Sequence, residues 1–417
     1  MGLFCVLFFR FHSNIVQIYI CFVKFVESNA TVMNMERPFV YDRYVTGKNF
    51  IGRKKDCNIL GNLLEAGENV VMYAPPKSGK MSVIQQTLFN MRASGKNFLV
   101  GQLDLMNVRT LEEFLIGFCS SVIGSVSSTE REYSDFISRF LDGTHFVFDS
   151  QRFADSNEIV SISGEVDDGD IVKMFQLPNC IAAERRSKYI MVIDNFQNLL
   201  SCNHVGHLFE LMEDVLKDNK EQARSVAYIF SGSRVNAMKY IFEEKKWFWK
   251  MTEALPLQPV DDREIIDYIV KGFMMSGKVV ERDLILGACK LFRGNMWYLN
   301  HFIAICDSMT KGYINDGILM EALSTILSVH EPKFISIVDD LTDFQLSFLK
   351  AVLDGVTKFS SVDVIDKYHL NSSANVRRLK DALKKKEVIT FNDNDEPVVL
   401  DPLFEYWIRK YYFKENE

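Results

Sequence analysis

The feature that most constrains this chain is the stretch Ala74-Pro75-Pro76-Lys77-Ser78-Gly79-Lys80-Met81. A short apolar run, Asn69 to Tyr73, precedes it, and a helix-like segment, Ser82 to Arg92, follows. Strand, turn and helix in that order frame a phosphate-binding loop, whose pattern is G-x-x-x-x-G-K-[ST]. Gly79 and Lys80 fit. Ala74 replaces the first glycine, a mild change because alanine is the next smallest side chain. Met81 replaces the Ser or Thr whose hydroxyl holds Mg²⁺, and a thioether is a poor ligand for that hard, oxygen-seeking ion. Ser82 is one residue on, about 100° around the helix, so it is no simple replacement. Backbone N–H groups between Pro76 and Lys80 would wrap a phosphate, helped by the positive end of the following helix. Lys80 would lie against the β- and γ-phosphates. The plainer reading is a structural turn with a chance Gly-Lys pair.

A second stretch supports the first. Tyr189-Ile190-Met191-Val192-Ile193-Asp194 is an apolar strand ending in a carboxylate that would orient a Mg²⁺-bound water. The next position, where a glutamate would polarise the attacking water, holds Asn195. An amide positions water but cannot accept its proton. Ser231 ends another apolar strand, Val226–Ser231, where it would sense a γ-phosphate; Arg234 just beyond reads as a surface arginine or a finger. Upstream, Phe50-Ile51-Gly52-Arg53 leads into a helix. Ile51, Gly52 and Arg53 either pack on the adenine side of a nucleotide or cover the sheet edge.

Strands alternating with helices from residue 33 to 259 predict a parallel three-layer α/β sheet. Asn97–Leu105 is its second strand, ending at Asp104, and Thr110 with Glu113 opens the next helix as a capping box. A last short strand is expected at Ala254–Leu257. Residues 124–187 read as an insertion with helical pieces near 131–142 and 171–186, and offer a surface for a protein partner. After Pro259, helical runs at about 261–275, 281–292, 296–311 and 315–329 predict an all-helical domain over 260–332. Residues 338–413 then follow the order helix, helix, helix, hairpin, which is that of a winged helix-turn-helix. Its third helix carries Arg377, Arg378, Lys380 and Lys384 outward, with Asn375 near its start, a pattern suited to DNA phosphates and bases. A solvated face on a protein-binding winged helix fits equally well. The net charge of −7 excludes a chain coated in basic residues but not a local basic face.

Eight cysteines show no C-x-x-C spacing, so they read as thiols in a reducing, cytoplasmic setting rather than as metal ligands. Residues 1–32 are rich in Phe, Ile and Val, but Arg10, His12, Asn14 and Lys24 interrupt them. They match neither a membrane span nor a signal peptide cleanly. Translation is expected to start at Met33 or Met35, with no membrane contact.

Taken in order, these residues resemble the archaeal-type ATPases within the AAA+/STAND group of P-loop NTPases. The resemblance covers about residues 36–413. It rests on Phe50–Arg53, Gly79-Lys80, Ile190–Asp194 with Asn195-Phe196-Gln197, and Phe230–Ser233. Gly294-Asn295-Met296-Trp297-Tyr298-Leu299 and Leu400–Trp407 complete it. It implies a P-loop core, a helical lid and a winged helix working as a nucleotide-controlled switch, with ATP and Mg²⁺ as cofactors and an oligomer open. Ala74, Met81 and Asn195 depart from the family pattern and put turnover in question more than fold. Two alternatives stand beside the switch: a winged-helix DNA-binding regulator with the core as scaffold, and an active Mg²⁺-dependent ATPase that recruits Ser82 or a partner's residue.

Overall fold

A computed structural model describes residues 38–222, 224–392 and 394–414. The apolar N-terminal stretch and the expected start at Met33 or Met35 lie outside the described residues.

Helix α1 (Lys54–Ala66) opens on Arg53 in the left-handed region, φ 53°. Strand β1 (Asn69–Tyr73) enters the loop and α2 (Lys80–Ala93) leaves it. Next come β2 (Phe98–Asp104), α3 (Leu111–Gly124) and α4 (Glu130–Phe140). A small hairpin of β3 (Phe146–Val147) and β4 (Ser161–Ile162) encloses α5 (Ser150–Ser156). Helix α6 (Asp168–Arg185), β5 (Lys188–Asp194), α7 (Val205–Gln222), β6 (Val226–Gly232), α8 (Val235–Lys239) and β7 (Thr252–Ala254) follow. The Thr110–Glu113 capping box forms as the pattern predicts, and Thr129–Glu132 and Asp167–Asp170 close the same way.

The main sheet has the order β2-β5-β6-β1-β7, and every pairing is parallel. Its strands are apolar because both faces are covered. Val70, Met72, Ile190, Val192, Ala227 and Ile229 pack toward α1 and α2. Val71, Tyr189, Met191, Ile193, Tyr228 and Phe230 pack toward α3, α6 and α7. This alternation also fixes where the polar residues at the strand ends point. The segment 124–187 contributes buried Tyr133, Phe136, Phe146, Val160 and Ile171 to the second core. The last strand is Thr252–Ala254, not Ala254–Leu257. Leu255 N still donates to Val71 O, but Pro256 has no N–H and ends the ladder.

The C-terminal part begins with α9 (Asp262–Met275), β8 (Val279–Val280), α10 (Arg282–Leu291), α11 (Met296–Met309), β9 (Tyr313–Ile314) and α12 (Asp316–Asp339). It continues with α13 (Asp343–Leu353), α14 (Val362–Lys367), α15 (Ser373–Lys385), the hairpin β10 (Ile389–Phe391) and β11 (Pro397–Val399), and α16 (Pro402–Trp407). Helix α12 corrects one expectation: it does not stop near residue 329 but runs through Pro332 to Asp339. A proline inside a helix costs about 3 kcal/mol. Here Phe334 and Val338, beyond the proline, are buried and repay it. One hydrophobic core therefore extends from Val260 to Ile408 without a break at Pro332, and Phe39 from the N-terminal lead joins it. No helix among the described residues is long and apolar enough to cross a membrane.

Candidate functional site

Gly79 takes φ 92°, a conformation that a side chain would strain, and so turns the chain into α2. Lys80 is 7% exposed, and its Nζ donates to the carbonyls of Ala74 (2.8 Å) and Pro75 (3.2 Å). Burial pushes its ammonium down to about 8, with the Asp194 carboxylate pulling the other way. The loop thus curls around its own lysine. Arg53 joins it: a Cβ on Gly79 would lie 3.9 Å from Arg53 Nη1. Ile51 and Gly52 precede Arg53, and Gly52 at φ 62° packs on Val260 and Glu264, so that pair holds the lead to α9.

Three buried polar atoms around the loop lack a partner among the described residues: Arg53 Nη1, Ser78 Oγ and Ser231 Oγ. Buried polar atoms are normally satisfied. A cationic, donor-rich cradle with unmet hydrogen bonds at a helix start fits a phosphate. Met81 does not fit as a metal ligand; its Sδ accepts a weak hydrogen bond from Gln85 Nε2 at 3.6 Å. Ser82 Oγ accepts from Val45 N at 3.1 Å, so the N-terminal lead already uses it. Pro75, Pro76 and Lys77 also line a cavity of about 440 Å³ shared with Trp297 and Asp401. Lys77 Nζ sits 3.3 Å over the Trp297 ring centroid.

Asp194 ends β5 on the α2 face, opposite Lys80, and would be the Mg²⁺ ligand. Asn195, at φ 55°, is tied on both sides of its amide. Its Nδ2 donates to Asp104 Oδ1 (2.8 Å), and its Oδ1 accepts from Ser233 Oγ (2.9 Å). Gln197 adds a longer contact to the same oxygen. Asn195 is therefore held as a strand-to-strand brace rather than as a free water-positioning group. Asp104 carries no motif of its own, its one sequence signal being a strand that ends in a carboxylate, as at Asp194, whereas Ser233 lies in the Phe230–Ser233 stretch.

The lid stretch meets the winged helix. Asn295 Oδ1 caps α11 by accepting from Trp297 N and Tyr298 N. Tyr298 Oη donates to Asp401, which also pairs with Lys333 (2.8 Å). Arg293 donates to Val399 O (2.9 Å) and pairs with Glu405. The winged helix also touches the core. Glu387, just after α15, accepts from Asn236 N (3.1 Å) and Ala237 N (2.9 Å), capping α8 immediately beyond Ser231-Gly232-Ser233-Arg234. Burial raises its carboxyl while those N–H groups oppose the shift. Arg234 is exposed and lines the cavity.

The basic face of α15 divides. Arg377 and Arg378 are exposed. Lys380 pairs with Asp395 (3.7 Å) and lies over Phe391. Lys384 pairs with Glu244 of the core (3.1 Å). The Asn375 amide donates to Leu370 O (3.1 Å), so it braces the turn before α15.

The fold and loop define a class by architecture: a parallel α/β core with a lysine-bearing loop between strand and helix, followed by helices and a winged helix. Residues 332–410 match a family model described as "Probable winged helix domain". Among solved structures, the chain is similar to the Walker-type ATPase PABY2304 of Pyrococcus abyssi. The two share 17% identity over 89% of this chain and 99% of that one, with a TM-score of 0.63. It is also similar to the ORC2 protein of Aeropyrum pernix in its ADPNP–ADP complexes, at 12% identity over 86% and 93% of the chains and a TM-score of 0.52. No curated protein matches the sequence.

Proposed function

We propose that this chain is an ATP-binding switch in which hydrolysis is slow or lost. The observation that carries the reading is the loop itself: a buried Lys80 folded onto loop carbonyls, ringed by three unsatisfied buried polar atoms. A nucleotide's phosphates supply the acceptors those groups lack. Backbone N–H groups at the start of α2 and Lys80 would hold the phosphates, and Asp194 a Mg²⁺ ion, which would neutralise phosphate charge. Asn195 cannot take a proton from water, and its amide is already engaged, which supports binding without efficient turnover. The lid and winged helix contact each other around Asp401 and close over the loop through Trp297, so occupancy of the loop would be felt by both. The six described cysteines are all free, and a cytoplasmic setting is part of the proposal.

Calorimetric titration with ATP and ADP, with and without Mg²⁺, tests this. Binding with little phosphate release is expected, and Lys80→Ala should abolish it. Unchanged nucleotide binding in that variant defeats the assignment. Exposure of Arg377 and Arg378 favours a second reading in which α15 contacts nucleic-acid backbone.

A further inference from the structure

Three oxygen-bearing side chains form a row across the C-terminal edge of the sheet. Asp104 of β2 is in register with Asp194 of β5. Ile193 of β5 is in register with Phe230 of β6, which brings Asp194 beside Ser231 one step further on. Alternation sends all three side chains to the α2 face. Phe98 and Val100 precede Asp104 there, Ile190 and Val192 precede Asp194, and Ala227 and Ile229 precede Ser231. Gln102, two residues before Asp104, bonds Gln85 of α2 at 2.9 Å, which confirms the direction. Lys80 and Met81 begin the helix that faces this row.

Position 81 offers no oxygen, but Asp104 places one at the sheet edge beside Asp194. From the β2–β5 register, we propose that the divalent cation of this site is held by the carboxylate pair Asp104 and Asp194. In this arrangement β2 supplies an oxygen ligand that Met81 in the loop cannot. The inference rests on the nucleotide-binding reading for the anion that shares the cation. Neighbouring strands lie about 4.8 Å apart, so two carboxylates on one face can reach a single ion with bonds of about 2.1 Å. Asp104 is pre-oriented. Its Oδ1 accepts from Met106 N (2.9 Å) and Asn195 Nδ2 (2.8 Å), leaving the second oxygen for a metal. Asn195 thereby acquires a role that a glutamate could not fill, because a third carboxylate there would repel Asp104 instead of bonding it. Ser231 is the independent sign of a ligand. It is 0% exposed and faces the same cleft, and its Oγ has no partner among the described residues.

Mn²⁺ titration followed by electron paramagnetic resonance tests the pair, on the full chain, with and without ADP. The wild type should bind one Mn²⁺. Asp104→Asn should weaken that binding at least tenfold, and so should Asp194→Asn. Asp104→Ser serves in its place if the asparagine variant does not melt cooperatively. Wild-type Mn²⁺ affinity in the Asp104 variant, or no Mn²⁺ binding by the wild type in either condition, overturns the proposal. If Lys80→Ala leaves metal-free ADP binding intact, the nucleotide reading fails separately, and the titration with Mn²⁺ alone still decides the carboxylate pair.

Discussion

Lys80 sits where the protein disfavours its charge. Burial brings it from the ordinary 10.5 to about 8. A phosphate needs the ammonium form, so above pH 8 nucleotide binding must draw a proton. Affinity should therefore fall by up to about tenfold per pH unit above 8, and stay level below it. Calorimetry at pH 7 to 9.5, in buffers of differing ionisation enthalpy, reads both the slope and the proton. In the ligand-free fold the sign reverses: the unfolded chain holds more protons between 8 and 10.5, so this group's contribution to stability improves as pH rises there. Met81→Ser returns a hydroxyl to the helix start. It should strengthen the Mg²⁺ dependence of ADP binding roughly fivefold, about 1 kcal/mol, as the ratio of affinities with and without the ion. The loop, Asp194 and Ser231 were legible in the sequence because each belongs to a local pattern. The partners of Asn195 were not. Asp104 lies 91 residues away and meets it only through the β2–β5 register, which no local pattern encodes.

At the scale of elements, the clearest joint is between α15 and α8. Glu387 caps α8 with two backbone bonds, and Asn236 Nδ2 reaches back to the carbonyls of Lys384 (3.0 Å) and Ile389 (2.8 Å). Glu387→Ala leaves part-buried N–H groups without acceptors and should cost about 1–3 kcal/mol. Amide exchange at residues 236 and 237 should accelerate, together with that of the winged helix, whereas the loop helix α2 should be unaffected. Sequence reading placed the helices and the hairpin here, because caps and apolar spacing are local signals. It missed the passage of α12 through Pro332, because the burial of Phe334 and Val338 overrides a backbone rule that holds for an isolated helix.

At the scale of the whole molecule, the wing's basic helix is half committed. Lys384 and Lys380 are spent on carboxylates, while Arg377 and Arg378 face outward. If DNA is a ligand, replacing both arginines with alanine should make the log K against log salt slope shallower by about 1.8. Binding should weaken about equally on unrelated sequences. A mobility shift across a salt series checks this.

Helix α12 gives these contacts a mechanical meaning. Its 24 residues make a rod of about 36 Å. One end lies in the helical region after the sheet; toward the other, the Phe334 ring packs at a tilt against Phe404 and Trp407 of α16. The two parts share the rod and its core, so neither can hinge alone. A tilt of about 10° at the lid end would carry the far end about 6 Å, half the width of a DNA major groove. Pro332 thus lies inside a lever arm, and in the proposed switch a phosphate held at the loop would be geared to a displacement that a large partner can sense.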